Sequence, residues 1–168
     1  MLASCSGGDD TPDELDAFLD RVAPHGEVAF TATYEVLQKL GGETVEVRVE
    51  VDPPSWRIEA EDVVVTEAET CVAGECTDGL QEQVLTQFGF TSRFFSDAPA
   101  RQLRVDAGRD GAGDPETSTR TEAGVTLDCI GVPVGPAVPT TACLTDEGVF
   151  GYVSDPARRV TLVDYDPA

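Results

Sequence analysis

The residues of this 168-residue chain that could do covalent or metal chemistry are five cysteines and a single histidine. Four cysteines fall into two local pairs, Cys71 with Cys76 and Cys129 with Cys143, while Cys5 stands apart near the start. The spacer Val72-Ala73-Gly74-Glu75 is longer than the two residues of a redox-active thioredoxin motif, so the first pair reads as a disulfide closing a hairpin tip. Cys129 and Cys143 lie on neighbouring predicted strands, where a cross-strand bridge is natural. Four thiolates can also hold zinc, but in an exported chain two disulfides are the stronger expectation. His25 sits in a Pro24-His25-Gly26 turn and is expected to be an exposed loop residue, which leaves a nucleophile without a base. Asp106, Asp110, Asp114 and Glu116 lack the alternate spacing of a calcium loop. Carboxylates are so frequent that no pair stands out as acid and base. The sequence therefore predicts no enzyme, no metal and no cofactor.

Cys5 is explained by its neighbours. Leu2-Ala3-Ser4-Cys5 matches the bacterial lipobox, in which small residues precede the signal-peptidase cut and the cysteine receives the lipid. Ser6-Gly7-Gly8-Asp9-Asp10 follows as a polar tether. Residues 1–10 are thus expected to be lipobox and tether, and residues 11–168 one domain. The charged and apolar parts of a signal peptide do not precede Leu2, so either the start lies further upstream or the chain has been trimmed. The expected location is extracytoplasmic, lipid-anchored to the cell membrane through Cys5.

The charge balance narrows the partners. Thirty-two acidic residues against eleven basic ones give a net charge of −21. Such a chain repels nucleic acid and does not dock on anionic lipid headgroups through a basic patch. No stretch approaches the roughly 18 consecutive apolar residues of a membrane span. The apolar fraction of 40% is enough for a core.

The elements that position these residues are mostly strands. Val28, Phe30, Ala32, Tyr34 and Val36 alternate with polar residues, as do Val45, Val47, Val49 and Val51, and Trp56 and Ile58 after Pro53-Pro54. Alternation by two gives a sheet with one apolar face, and the short Gly- and Pro-containing breaks make the strands antiparallel neighbours. Thr11-Pro12-Asp13-Glu14 reads as a capped helix start, followed by Leu15, Phe18, Leu19 and Val22 on one stripe. Leu80, Val84, Leu85 and Phe88 predict a second helix stopped at Gly89, and Asp97-Ala98-Pro99-Ala100 a short third one carrying Leu103. Residues 106–118 read as a solvated loop. Hairpins follow around Ala123-Gly124, Asp146-Glu147-Gly148 and Ser154-Asp155-Pro156-Ala157. Phe88, Phe90, Phe94 and Phe95 crowd one segment, either as core beneath the sheet or as a lid over a hydrophobic pocket.

This order of features resembles that of actinobacterial lipoproteins with a LolA- or LppX-like fold, in the lipoprotein carrier superfamily. The resemblance rests on the lipobox, the capped helix, the Phe30-to-Val36 strand, the meander through Ser55-Trp56-Arg57-Ile58, the close-cysteine hairpin and the Cys143-to-Val149 hairpin. It implies an α+β fold: a curved, unclosed antiparallel half-barrel with helices over its concave face. It also implies an apolar concavity, lined by Phe30, Tyr34, Val47 and Trp56 and covered by Phe88 and Phe94. The expected function is to hold a hydrophobic small molecule or lipid, such as an acyl chain, in a monomer. The alternative is a non-catalytic protein-interaction or envelope-sensor module whose cavity its own side chains fill.

Overall fold

A computed structural model describes residues 14–95, 97–136 and 138–168. Eleven strands form a single antiparallel sheet in the order β6-β5-β4-β3-β2-β1-β11-β10-β9-β8-β7. Strands β1 (Phe30–Gln38), β2 (Glu43–Asp52), β3 (Ser55–Ala60), β4 (Val63–Thr66), β5 (Glu69–Val72) and β6 (Glu75–Asp78) make one meander. Strands β7 (Glu116–Glu122), β8 (Val125–Val132), β9 (Thr140–Leu144), β10 (Phe150–Ser154) and β11 (Arg158–Pro167) make another. The first and last strands join them, with Phe30 opposite Pro167 and Gln38 opposite Arg158. Helices α1 (Glu14–Leu19), α2 (Glu82–Thr86) and α3 (Asp97–Ala107) supply the second layer. The result is the expected α+β half-barrel.

The alternation read from the sequence decides which face is dry. Phe30, Ala32, Tyr34 and Val36 of β1 are buried, as are Val47, Val49 and Val51 of β2 and Trp56, Ile58 and Ala60 of β3. Leu15, Phe18 and Leu19 of α1, Leu85 of α2, and Ala100 and Leu103 of α3 close on them in one continuous core. Each such large side chain contributes roughly 1.5–3 kcal/mol by leaving water, so this face dominates the stability. The second helix is shorter than its apolar spacing suggests: α2 spans only Glu82–Thr86 and Leu80 is exposed. Gly89 ends that segment at φ +73, a left-handed conformation open to glycine without strain.

The second meander differs in that β9 and β10 are buried on both faces. Leu127, Cys129 and Cys143 form a small outer cluster with Val125 and Tyr152 packed against it. The Arg120 guanidinium lies 3.5 Å over the Tyr152 ring and covers part of that cluster. A bulge between Phe150 and Tyr152 places Gly151 against Leu127, and a β-carbon at Gly151 would come within 2.8 Å of the Leu127 methyls.

One loop expectation is corrected here. Residues 106–118 are not a solvated loop throughout: Asp106 is the buried last turn of α3, and β7 begins already at Glu116. The Asp106 carboxylate accepts hydrogen bonds from Gln102 Nε2 at 3.0 Å and Thr140 Oγ1 at 2.7 Å, and so ties the helix to β9. Tertiary placement, not local composition, made this acidic residue a core group.

Candidate functional site

Cys71 and Cys76 are bonded to each other, as are Cys129 and Cys143, and both pairs are directly opposite partners on adjacent strands. The pairing expected from hairpin proximity is the one observed. Among the described residues, the cluster of Glu69, Cys71 and Cys76 has metal-ligand spacing. Its sulfurs are joined to each other, which removes them as thiolate ligands. Cys5 and the lipobox, and the Thr11-Pro12-Asp13 cap, lie outside the described residues.

The concavity brings together the side chains expected to line it, and packs them against one another. Phe30, Tyr34, Val47, Trp56 and Phe94 all belong to the buried core. Tyr34 meets Phe94 edge-on at 5.3 Å and Phe90 at 5.9 Å, and Phe90 meets Phe94 at 4.5 Å. Phe94 continues to Phe150 of β10 at 6.4 Å. At the other end Phe95 touches Phe30 at 5.9 Å and Trp56 at 6.5 Å. These distances fall within the range of favourable ring pairs. Of the two roles open to the Phe-rich segment, the structure shows it in the core role. Burial drives the Tyr34 phenol far above its ordinary pKa, and among the described residues its hydroxyl has no hydrogen-bond partner.

Phe88 stands apart from the other five. It is half-buried at the rim, where with Val45, Val63 and Val72 it lines a hollow of about 670 Å³ that also contains Glu43, Glu61 and Asp62. That mixture of carboxylates and valines is a surface groove, not a greasy pocket.

His25 is not the exposed loop residue expected of a Pro-His-Gly turn. Its ring stacks on Phe95 at 4.8 Å and 11° and meets Trp56 edge-on at 5.9 Å. Burial, and then the nearby Arg93 charge, hold its pKa below the ordinary 6.5. The aromatic neighbours come from β3 and from the segment before α3, which local sequence does not bring near His25.

A further feature has no signal in the hydrophobic pattern. Between α1 and β7 lies a hollow of about 560 Å³, lined by Ala17 and Phe18 on the helix side and Thr117, Ser118 and Thr119 on the strand side. Arg21 reaches across to Asp128 at 2.9 Å at its border. Among the described residues β7 is the last strand of the sheet, so this hollow adjoins an edge strand. The all-polar run Glu116–Glu122 carries no apolar alternation from which that position could be read.

An open antiparallel half-barrel, closed on its concave side by helices and by its own aromatics, is the class that fold and site define. Its fold is shared with solved structures of MucB. The crystal structure of MucB matches with a TM-score of 0.58 at 14% identity, over 92% of this chain and 59% of that one. MucB in complex with MucA(peri) matches at 0.51 and 13%, over 92% and 56%. The complex of Pseudomonas aeruginosa MucA and MucB matches at 0.54 and 16%, over 91% and 56%. The chain therefore spans less than two thirds of the length of those MucB chains, and at these identities the likeness is one of fold. The chain matches no family model and no curated protein. The resemblance to actinobacterial LolA- or LppX-like lipoproteins is corrected accordingly: the fold it implied is present, but the structural neighbours are MucB, a different family.

Proposed function

We propose that this chain is a non-catalytic protein-interaction module that works outside the cytoplasm. The observation that carries the reading is the filled concavity: Phe90, Phe94 and Leu85 occupy the space that an acyl chain would need. A sheet whose dry face is already covered keeps its edges and rims for partners. Two of the solved structures named above are of MucB bound to MucA, which supports a protein as the ligand class. The two disulfides support an oxidising compartment. Among the described residues no helix is long and apolar enough to cross a membrane. The Leu2-Ala3-Ser4-Cys5 motif supports attachment through a lipid on Cys5. That anchor is tested by detergent partitioning of the protein and its Cys5→Ser variant from the native host.

The alternative is a hydrophobic ligand held between Phe30, Tyr34, Val47, Trp56, Phe88 and Phe94. It requires the aromatic segment to swing away from Tyr34 and Phe150. Native mass spectrometry and a fluorescent fatty acid separate the two readings. The interaction reading expects no co-purified lipid, no saturable probe uptake, and discrete protein adducts from surface photocrosslinkers introduced in the native host. Stoichiometric bound lipid that Phe94→Asp abolishes would replace it with the ligand-holding one.

A further inference from the structure

The sheet ends in two unlike edges, and their backbone geometry can be assigned from the disulfides. In an antiparallel ladder, directly opposed residues alternate between a wider pair that exchanges hydrogen bonds and a closer pair that does not. Cys129 and Cys143 are opposed with Cα atoms 3.9 Å apart, so they form a non-bonded pair between β8 and β9. The Cys129 amide and carbonyl therefore turn the other way, toward Ser118 of β7, which lies opposite it. By alternation, the amides and carbonyls of Thr117, Thr119 and Thr121 turn outward, away from β8. The side chains of Thr117 and Thr119 share the concave face with their partners Ile130 and Asp128, toward α1.

Thr117, Ser118, Thr119 and Thr121 are exposed, and β7 ends the strand order. Natural sheets blunt such edges with proline, lysine or very short strands. Strand β7 runs for seven residues with neither proline nor lysine. The opposite edge, β6, has four residues, all exposed, and its cysteine is tied back to β5. The β7 edge adjoins a hollow with an apolar wall formed by Ala17 and Phe18. Glu14 borders it and Glu116 begins the strand beside it, while Arg21 and Arg120 are engaged by Asp128 and Glu122.

We infer that β7 is the docking edge for an extended, basic segment of a partner protein, which adds to the sheet as a twelfth strand. This assignment rests on the interaction reading above and names where and by what chemistry it is met. Backbone groups of Thr117, Thr119 and Thr121 supply the affinity common to strand addition, and alternate side chains supply the selectivity. Those on one side enter the hollow against Phe18, so they are small and apolar. The Glu14 carboxylate at its border, Glu116 at the start of the strand and the net charge of −21 favour a basic segment.

The probe is a synthetic nine-residue peptide alternating lysine with valine, with a control of the same composition interrupted by two prolines. Binding to the whole chain is read by fluorescence anisotropy, and its position by amide hydrogen exchange. The peptide should bind and slow exchange at Thr117, Thr119 and Thr121, with the control at least tenfold weaker. Thr119→Pro removes an outward N–H without breaking the β7–β8 ladder, so it should fold and bind at least tenfold more weakly. Thr119→Val keeps the N–H and should bind as the parent does. Glu116→Lys should weaken binding more at low salt than at high salt. Equal binding of both peptides, or protection confined to other strands, would overturn the edge assignment. Surface photocrosslinks to a protein in the native host would then still uphold the interaction reading, so the two failures are separable.

Discussion

Both meanders carry a disulfide between directly opposed residues, yet Cys76 is exposed at a hairpin tip while Cys129 and Cys143 are buried. Around the first, β5 and β6 bury almost nothing but Thr70, which accepts from the Gln81 amide and donates to the Gly79 carbonyl. Around the second, β9 and β10 are buried on both faces, and the outer cluster packs on the bridge itself. The same covalent link thus ends a thin, one-sided sheet in one place and sits inside a two-sided one in the other. What differs is the layer outside it: Tyr152, Arg120 and the tip of the β7–β8 hairpin cover the second bridge, and nothing comparable among the described residues covers the first.

The largest effect should come from the ring that joins the two regions. Phe94 touches Tyr34 in the first meander and Phe150 in the second. Phe94→Ala should cost about 3–5 kcal/mol, and urea unfolding followed by Trp56 fluorescence and by circular dichroism should show both halves lost together. Separate transitions would mean that the meanders are independent and the comparison is one between two domains.

The bridges themselves come next. Loop-closure entropy gives roughly 3 kcal/mol for a ring of the size closed by Cys129 and Cys143, and about 2 kcal/mol for the short Cys71–Cys76 ring. The buried pair also leaves a void when cut back, so Cys129→Ala with Cys143→Ala should destabilise clearly more than Cys71→Ala with Cys76→Ala. Equal shifts in the denaturation midpoint would show that the outer cluster adds nothing to its bridge.

Gly151 offers a finer probe of the two-sided packing. A β-carbon there meets the Leu127 methyls at 2.8 Å, so Gly151→Ala should cost about 1–3 kcal/mol by overpacking. Truncating the obstacle in the double variant with Leu127→Ala should make the glycine substitution nearly neutral, as a thermodynamic cycle would reveal.

The smallest effect belongs to the first region and to pH. Because burial and then Arg93 lower the His25 pKa in the folded state, the folded chain prefers the neutral ring. Its contribution to stability is complete above the ordinary value of 6.5 and is lost as pH falls through the window below it. His25→Phe keeps the stack on Phe95 and should flatten the stability profile between neutral pH and the onset of carboxylate titration. A variant as pH-dependent as the parent would assign that slope to other groups.

The sequence by itself determined most of the features that depend on near neighbours. Alternation placed Phe30 to Val36, Val47 to Val51 and Trp56 to Ile58 on one dry face, and helical spacing placed Leu15, Phe18 and Leu19 against it. Hairpin proximity paired the cysteines, because cross-strand bonds need only two short strands and a turn. Distant contacts were another matter. The pairing of β1 with β11 makes β7 an edge, and it joins segments more than a hundred residues apart that share no local pattern. The burial of Asp106 awaited Thr140 on β9, and the stack of His25 awaited Phe95 and Trp56. Whether the concavity was open depended on where Phe90 and Phe94 came to rest. Their composition fits a lid as well as a core, since burial of an aromatic ring is favourable against a ligand or against its own chain. Only the tertiary structure could decide that, by setting them against Tyr34 and Phe150.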